Sequence, residues 1–146
     1  MNAPLPPVLS SSVAGPLGVK HLPRLWLKIL LYGCGRLPEG YRHGTGGFDE
    51  FLTTTLGIER DAFVAYIETE KPDYLTLERW VREHASALTP ETIATVNERI
   101  SEFDMPEAVR TERYAQLGFD EPGYTKAVGL NDLDDWAAMH RTLTGG

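Results

Sequence analysis

Two cations near the N-terminus, Arg24 and Lys28, are the first candidates for a functional site in this sequence. Arg24 and Lys28 are one helical turn apart, so on a helix both side chains project from the same side. An arginine fork binds a carboxylate or phosphate through two hydrogen bonds, and a lysine supplies a compact positive charge. A glycine-rich stretch, residues 33–47 (GCGRLPEGYRHGTGG), follows the two cations. This combination predicts a site for a small anionic or polar molecule.

The glycine-rich stretch is similar in composition to two known enzyme loops, the P-loop and the esterase oxyanion loop, but it lacks the motif of each. A P-loop needs a strand before it and Gly-Lys-Ser/Thr at its end, and both are missing. An esterase oxyanion loop would need a Gly-x-Ser-x-Gly nucleophile elsewhere, and the chain has none. The backbone N–H groups of Gly44, Gly46 and Gly47 could form an anion nest, or these glycines could act only as turn residues. Both interpretations stay open.

For a binding protein, the expected ligand residues are those of the first helix and of the loop after it. Arg24 would bind a carboxylate through its fork, and Lys28 would add a point charge. Arg42 would lie beside them, while Tyr41 and Trp26 would form the walls of the pocket. The leading hypothesis is therefore a small helical protein that binds a small anionic or polar metabolite.

An enzyme at the same position is the first alternative. His43 or Asp49 would act as general base, and Lys28 would stabilise a developing negative charge. These groups suit proton abstraction, an isomerisation or a lyase step without a cofactor. The second alternative is an interaction protein, in which the apolar first helix and the tryptophans form a homodimer or partner interface.

The other polar residues suggest structural roles. The four histidines share no metal-ligand spacing, so we predict neither a metal site nor a cofactor. His84 and His140 fall on apolar helical faces and are expected to be hydrogen-bonded core residues. The three acids of NDLDDW (residues 131–136) are expected to cap the last helix, or to pair with Arg24 or Lys28.

Composition narrows the class of protein. The chain has 146 residues, of which 42% are hydrophobic and 24% charged, as in an ordinary soluble domain. The net charge of −7 argues against a nucleic-acid partner, which usually needs a broad basic face. No apolar run is long enough for a membrane span. The single cysteine, Cys34, excludes an intramolecular disulfide and suits a cytoplasmic location.

Hydrophobic periodicity and helix-end residues predict an all-α fold. We expect a single compact domain over residues 19–146, with six or seven short helices and a long glycine-rich loop after the first. The first helix is apolar almost all round except for Arg24 and Lys28, which indicates burial. Residues 118–130 are expected to form a loop. Residues 1–18, rich in proline and serine, are predicted to be a flexible arm.

The sequence resembles a family of small bacterial proteins catalogued as a domain of unknown function, and the resemblance lies in the order and spacing of several short motifs. The matching segments are GVKHLPRLWLK, GRLPEGYRHGTGGFDEFL, LGI, WVREH, ETIATVNERI and GLNDLDDWA. In the family that this chain resembles, the first helix typically reads Leu-Pro-Arg-x-x-Asp-Lys. In this chain Leu27 stands at the position of the Asp. Val96 stands where a tryptophan commonly precedes the asparagine that matches Asn97. The resemblance implies a compact helical domain and supplies no established activity.

Overall fold

A computed structural model describes residues 3–118 and 125–146 of the chain. These residues form seven α-helices and no β-strand. The predicted all-α class and the predicted number of helices are therefore confirmed. The helices are α1 (Leu22–Gly33), α2 (Gly47–Leu56), α3 (Arg60–Glu70), α4 (Tyr74–His84), α5 (Pro90–Glu102), α6 (Glu107–Leu117) and α7 (Ala127–Thr144).

Local sequence signals account for most helix ends. Helix α5 begins at Pro90, and Thr89 before it forms a capping box with Thr92. Helix α2 ends where Gly57 adopts a left-handed backbone conformation with a φ of 68°. These end signals bound the same helices that the spacing of apolar residues predicts.

Helix α7 begins earlier than the sequence predicts. Its first residue is Ala127, and both Ala127 and Leu130 are buried. Packing of this first turn extends the helix into the predicted loop 118–130, of which residues 119–124 lie outside the described part. The acids at 132, 134 and 135 consequently lie inside the helix and do not cap it.

Helix α1 lies at the centre of the hydrophobic core. Leu22, Leu25 and Ile29 are completely buried, and the helix packs against α3 and α4. This packing places both cations of α1 inside the protein, where Arg24 and Lys28 are only 5% and 6% exposed. Charged residues buried to this extent need partners.

Residues 3–18, the described part of the segment predicted to be a flexible arm, lie against the helical body. The N–H of Leu5 donates to the carbonyl oxygen of Arg36, and Ser11 is completely buried. The N–H of Leu17 donates to both carboxylate oxygens of the buried Glu78, at 3.1 and 3.2 Å. The segment thus makes specific hydrogen bonds with the helical part of the protein. Its proline- and serine-rich composition does not predict these contacts.

His84 and His140 are exposed, so their assignment to the core is wrong. The His84 ring stacks on Trp80 with 4.1 Å between the ring centroids, and its Nδ1 atom lies 2.8 Å from the Trp80 carbonyl oxygen. Within the described ranges, none of the helices combines the length and apolarity required to cross a membrane.

Candidate functional site

A cavity of about 530 Å³ opens between α1, the glycine-rich loop and the last two helices. Part of its lining is polar and includes His21, Arg24, Lys28, Asp49 and Asp135, which we call the charged cluster. Each member of the charged cluster is at most 6% exposed. The lining also includes the apolar side chains of Phe48, Phe103, Met105 and Val109.

Asp49 is the centre of the charged cluster. Its two carboxylate oxygens lie 2.8 and 2.9 Å from the Lys28 Nζ atom. Oδ1 is also 2.7 Å from His21 Nε2, and Oδ2 accepts the backbone N–H of Gly44 at 3.0 Å. Burial raises the pKa of Asp49, but the His21 hydrogen bond and the Lys28 charge outweigh burial and lower it to about 2. Asp49 is therefore ionised at neutral pH.

His21 joins the N-terminal segment to Asp49. Its Nδ1 atom lies 2.9 Å from the Ser11 hydroxyl oxygen, while Nε2 faces Asp49. Burial lowers the pKa of His21, so the ring is neutral at pH 7. Because the ionised Asp49 can only accept, Nε2 carries the proton, and Nδ1 accepts from Ser11. Neither ring nitrogen is free for a ligand.

The backbone conformation of His21 is also unusual, which indicates that its surroundings constrain it. His21 precedes α1 with a φ of 74°, a left-handed conformation that is uncommon for residues other than glycine. Such a conformation persists when the surrounding contacts determine it, and here the contacts are those with Ser11 and Asp49. Ser11 itself is fully buried and does not line the cavity, so it is not a nucleophile for a ligand there.

Arg24 forms a second buried ion pair with Asp135 of α7. Both terminal nitrogens of Arg24 contact the carboxylate, and Nη1 also donates to the carbonyl oxygens of Pro7 and Leu9 at 2.7 and 2.9 Å. The Tyr41 hydroxyl donates to Asp135 Oδ1 at 3.0 Å. Burial and the charge of Asp135 raise the pKa of Tyr41, which keeps the phenol protonated. The Arg24 fork is thus already occupied.

Lys28 is the amine of the charged cluster. Burial lowers its pKa, although the neighbouring Asp49 acts in the opposite direction. Arg24, one turn earlier on α1, also lowers it by charge repulsion. The neutral form of this amine is therefore easier to reach than that of an exposed lysine. The amine nevertheless keeps Asp49 as its carboxylate partner.

The structure brings together most of the residues that the sequence predicts for the site. Arg24, Lys28, Tyr41, Arg42 and Asp49 all line the cavity. Arg42 is exposed and makes no hydrogen bond or ion pair with other described residues. Its guanidinium is therefore available at the cavity rim.

Two predicted site residues lie elsewhere. The His43 ring stacks on Tyr32, with 3.8 Å between the ring centroids, and does not line the cavity. Trp26 also lies outside the cavity lining, and its Nε1 donates to the carbonyl oxygen of Pro72 at 3.0 Å. The structure therefore does not pair His43 with Asp49, and Trp26 is not a wall of the cavity.

The loop glycines do not form the free anion nest considered from the sequence. The N–H of Gly44 donates to Asp49, and the N–H of Gly46 donates to Glu50 Oε1 at 3.0 Å. These acids of the first turn of α2 already use two of the donors. The glycines serve instead to bring Tyr41 and Arg42 to the cavity and to hold Asp49 in place.

Sequence reasoning missed Ser11, His21 and the specific choice of Asp135. Ser11 stands in a proline- and serine-rich segment, and His21 stands alone before a helix, so neither has a recognisable pattern. A pairing of Arg24 with one of the acids at 132–135 was one expected alternative, and Asp135 is the acid that forms it. Across residues 3–118 and 125–146, no cluster of three or more His, Cys, Asp or Glu side chains could hold a metal ion.

The comparison with protein families gives a match that covers most of the chain. The model of a domain of unknown function (DUF5069) matches residues 9–136, which include Ser11, Asp49 and Asp135. No curated protein and no solved structure matches the chain. The matched region therefore contains all five residues of the charged cluster, together with the part of the N-terminal segment that begins at residue 9.

Proposed function

The chain belongs to the DUF5069 family, whose activity is unknown, and we propose that it binds a small polar molecule with an anionic group in the cavity between α1 and the glycine-rich loop. The observation that carries this proposal is the cavity itself. Its volume of about 530 Å³ falls in the range of small-molecule sites, and its lining combines buried charged side chains with apolar ones.

Arg42 supports the anionic character of the ligand. Its guanidinium lies at the cavity rim near Gly46 and Gly47, with no partner among the described residues. A free guanidinium forms strong paired hydrogen bonds with a carboxylate or phosphate. Arg24, by contrast, is held by Asp135, so its role is to position Asp135 and Tyr41 rather than to bind the ligand directly.

The geometry gives less support to general-base catalysis at this site. His43 lies away from the cavity, and Asp49, with a pKa of about 2, is a weak base with both oxygens engaged. A general base must carry a pKa near the working pH and reach the proton that it removes. Neither residue meets both requirements in this arrangement.

A thermal-shift series with small carboxylates, phosphates and their uncharged analogues tests the proposal. An anionic ligand should raise the melting temperature, and the rise should grow with the logarithm of its concentration. Val109→Trp, which places a bulky indole at the cavity lining and obstructs the cavity, should abolish the rise. Leu75→Trp, at a 62% exposed position outside the cavity, should leave it unchanged.

The same series identifies the anion-binding residue. Arg42→Ala should weaken binding by about tenfold or more, since a charge-assisted contact is worth roughly 1.5–3 kcal/mol. Arg82→Ala is the matched control, because Arg82 is exposed and does not line the cavity. Equal ligand responses in the wild type and in Val109→Trp would refute the proposal.

A second candidate function, self-association, rests on helix α7. Trp136 and Leu143 are 58% and 78% exposed and are two turns apart on the same side of α7. Sedimentation of the wild type and of Trp136→Ser at micromolar concentration tests it. A dimer that Trp136→Ser converts to monomer would support this function, and a monomeric wild type would exclude it at that concentration.

A further inference from the structure

Lys28 is a buried amine at the border of the cavity. Its side chain is 7% exposed and lines the cavity together with its partner Asp49. Structural lysines usually extend their amines to water, whereas reactive lysines are desolvated and often lie near a second cation. Lys28 is desolvated, and the charge of Arg24, one helical turn earlier, acts on its amine in the same direction as burial and against the pairing with Asp49.

We infer that Lys28 forms a covalent imine with a small carbonyl compound that carries a carboxylate and enters this cavity. The inference rests on the proposed function, because it uses the same cavity and names the chemical class of its ligand. Arg42 at the rim would receive the carboxylate, and the carbonyl carbon would face the Lys28 amine.

The reaction balances without a cofactor or an external oxidant. A proton passes from the Lys28 ammonium to the carbonyl oxygen, and the nitrogen lone pair forms a bond to the carbonyl carbon. The C–O bond then breaks, and the oxygen leaves as water with two of the three ammonium hydrogens. The third hydrogen stays on the nitrogen, so the product is a protonated imine with the same single positive charge as the starting ammonium.

Asp49 is placed to stabilise that product. Its oxygens lie 2.8 and 2.9 Å from the Lys28 nitrogen, and the hydrogen bonds from His21 and Gly44 hold the carboxylate in position. Because the charge on the nitrogen does not change, the ion pair survives the reaction. Burial lowers the pKa of Lys28, which favours transfer of its proton to the carbonyl oxygen.

Reductive trapping tests the inference on the full chain. The protein is incubated at neutral pH with glyoxylate and sodium cyanoborohydride, which reduces an imine to a stable carboxymethyl-lysine. The chain has only four lysines, so peptide mapping resolves Lys28 from the other three, Lys20, Lys71 and Lys126. Lys28 should be modified faster than each of them by on the order of tenfold or more, since a bound carbonyl meets its amine at high effective concentration.

Matched variants separate the inference from the proposed function. Lys28→Arg keeps a cation for Asp49 and should show no adduct at residue 28, with unchanged modification of Lys71. Val109→Trp should suppress the Lys28 adduct alone. Equal modification of all four lysines in the wild type, or a Lys28 adduct that persists in Val109→Trp, would overturn the inference.

The remaining outcomes are also decisive. If an anion raises the melting temperature in a way that Val109→Trp abolishes, but Lys28 is not modified, then the imine is refuted and the proposed function stands. If no anion raises the melting temperature and Lys28 is not modified, both are refuted. Preferential Lys28 modification that Val109→Trp suppresses supports both.

Discussion

Lys28 and Asp49 form a two-point ion pair in the interior, with the amine 2.8 and 2.9 Å from the carboxylate oxygens and both side chains almost inaccessible to water. Charges in such a site lose their hydration, so each one depends on the other. The pair joins the central helix α1 to the first turn of α2, beside the cavity.

Replacement of Asp49 by asparagine should strongly destabilise the protein. Asp49→Asn leaves Lys28 buried without a counter-charge, and the loss of one partner of a buried pair costs about 3–5 kcal/mol. Urea denaturation measures the difference in the free energy of unfolding. Asp61→Asn is the control, since the Asp61 side chain is 79% exposed and its change should stay within about 0.5 kcal/mol. A loss below about 1 kcal/mol in Asp49→Asn would contradict a tightly coupled pair.

The helices could be predicted from the sequence because their signals are local. Thr89 and Pro90 mark the beginning of α5, and Gly57 marks the end of α2, each within a few residues of the apolar positions that they delimit. The periodicity of α1 likewise predicts its burial without reference to the rest of the chain.

The pairing of residues within the charged cluster could not be predicted from local sequence signals. Arg24 and Asp135 are 111 residues apart in sequence, and Lys28 and Asp49 are 21 apart. Several acids were equally available at the sequence level, and only the packing of α2 and α7 around α1 selects between them. The position of His43 depends in the same way on its stacking with Tyr32, which no spacing rule anticipates.

The hydroxyl of Ser11 should contribute to stability although it lies in a segment predicted to be flexible. Ser11→Ala removes the hydrogen bond to His21 Nδ1 and leaves a buried acceptor unsatisfied, at a cost of about 1–3 kcal/mol. Ser12→Ala, at the adjacent exposed position, should change the free energy of unfolding by less than about 0.5 kcal/mol. Equal effects of the two substitutions in chemical denaturation would show that Ser11 does not anchor the segment.

Within the glycine-rich loop, Gly44 should be far less replaceable than Gly40. Both have a positive φ, 122° and 92°, so an added Cβ atom is strained at either position. At Gly44 the Cβ would also lie 2.7 Å from Val64 Cγ2, whereas at Gly40 it would meet open space. We expect Gly40→Ala to cost about 1 kcal/mol from strain, and Gly44→Ala to cost about 2–3 kcal/mol. Thermal denaturation of both variants tests the order, and a reversed order would refute this account of the loop.

The stability of the protein should fall as the pH decreases below about 6.5, and His21 should be a principal cause. Burial lowers its folded-state pKa below the unfolded value of 6.5, and the charges of Lys28 and Arg24 act in the same direction, although Asp49 opposes them. Between the two pKa values the unfolded chain binds a proton that the folded chain does not bind, so acidification favours unfolding. Asp49 titrates at lower pH, because its contribution is lost only as the pH falls from 3.8 towards about 2.

Urea denaturation between pH 7.5 and 5 measures this dependence on His21. At most one proton is involved, so His21 should contribute up to about 1.4 kcal/mol per pH unit to the slope. His21→Asn removes the titrating ring with a residue that tolerates left-handed backbone, so its slope should be shallower even though its overall stability is lower. If His21→Asn keeps the full slope, the acid sensitivity arises elsewhere, and the neutral state assigned to His21 between Ser11 and Asp49 is wrong.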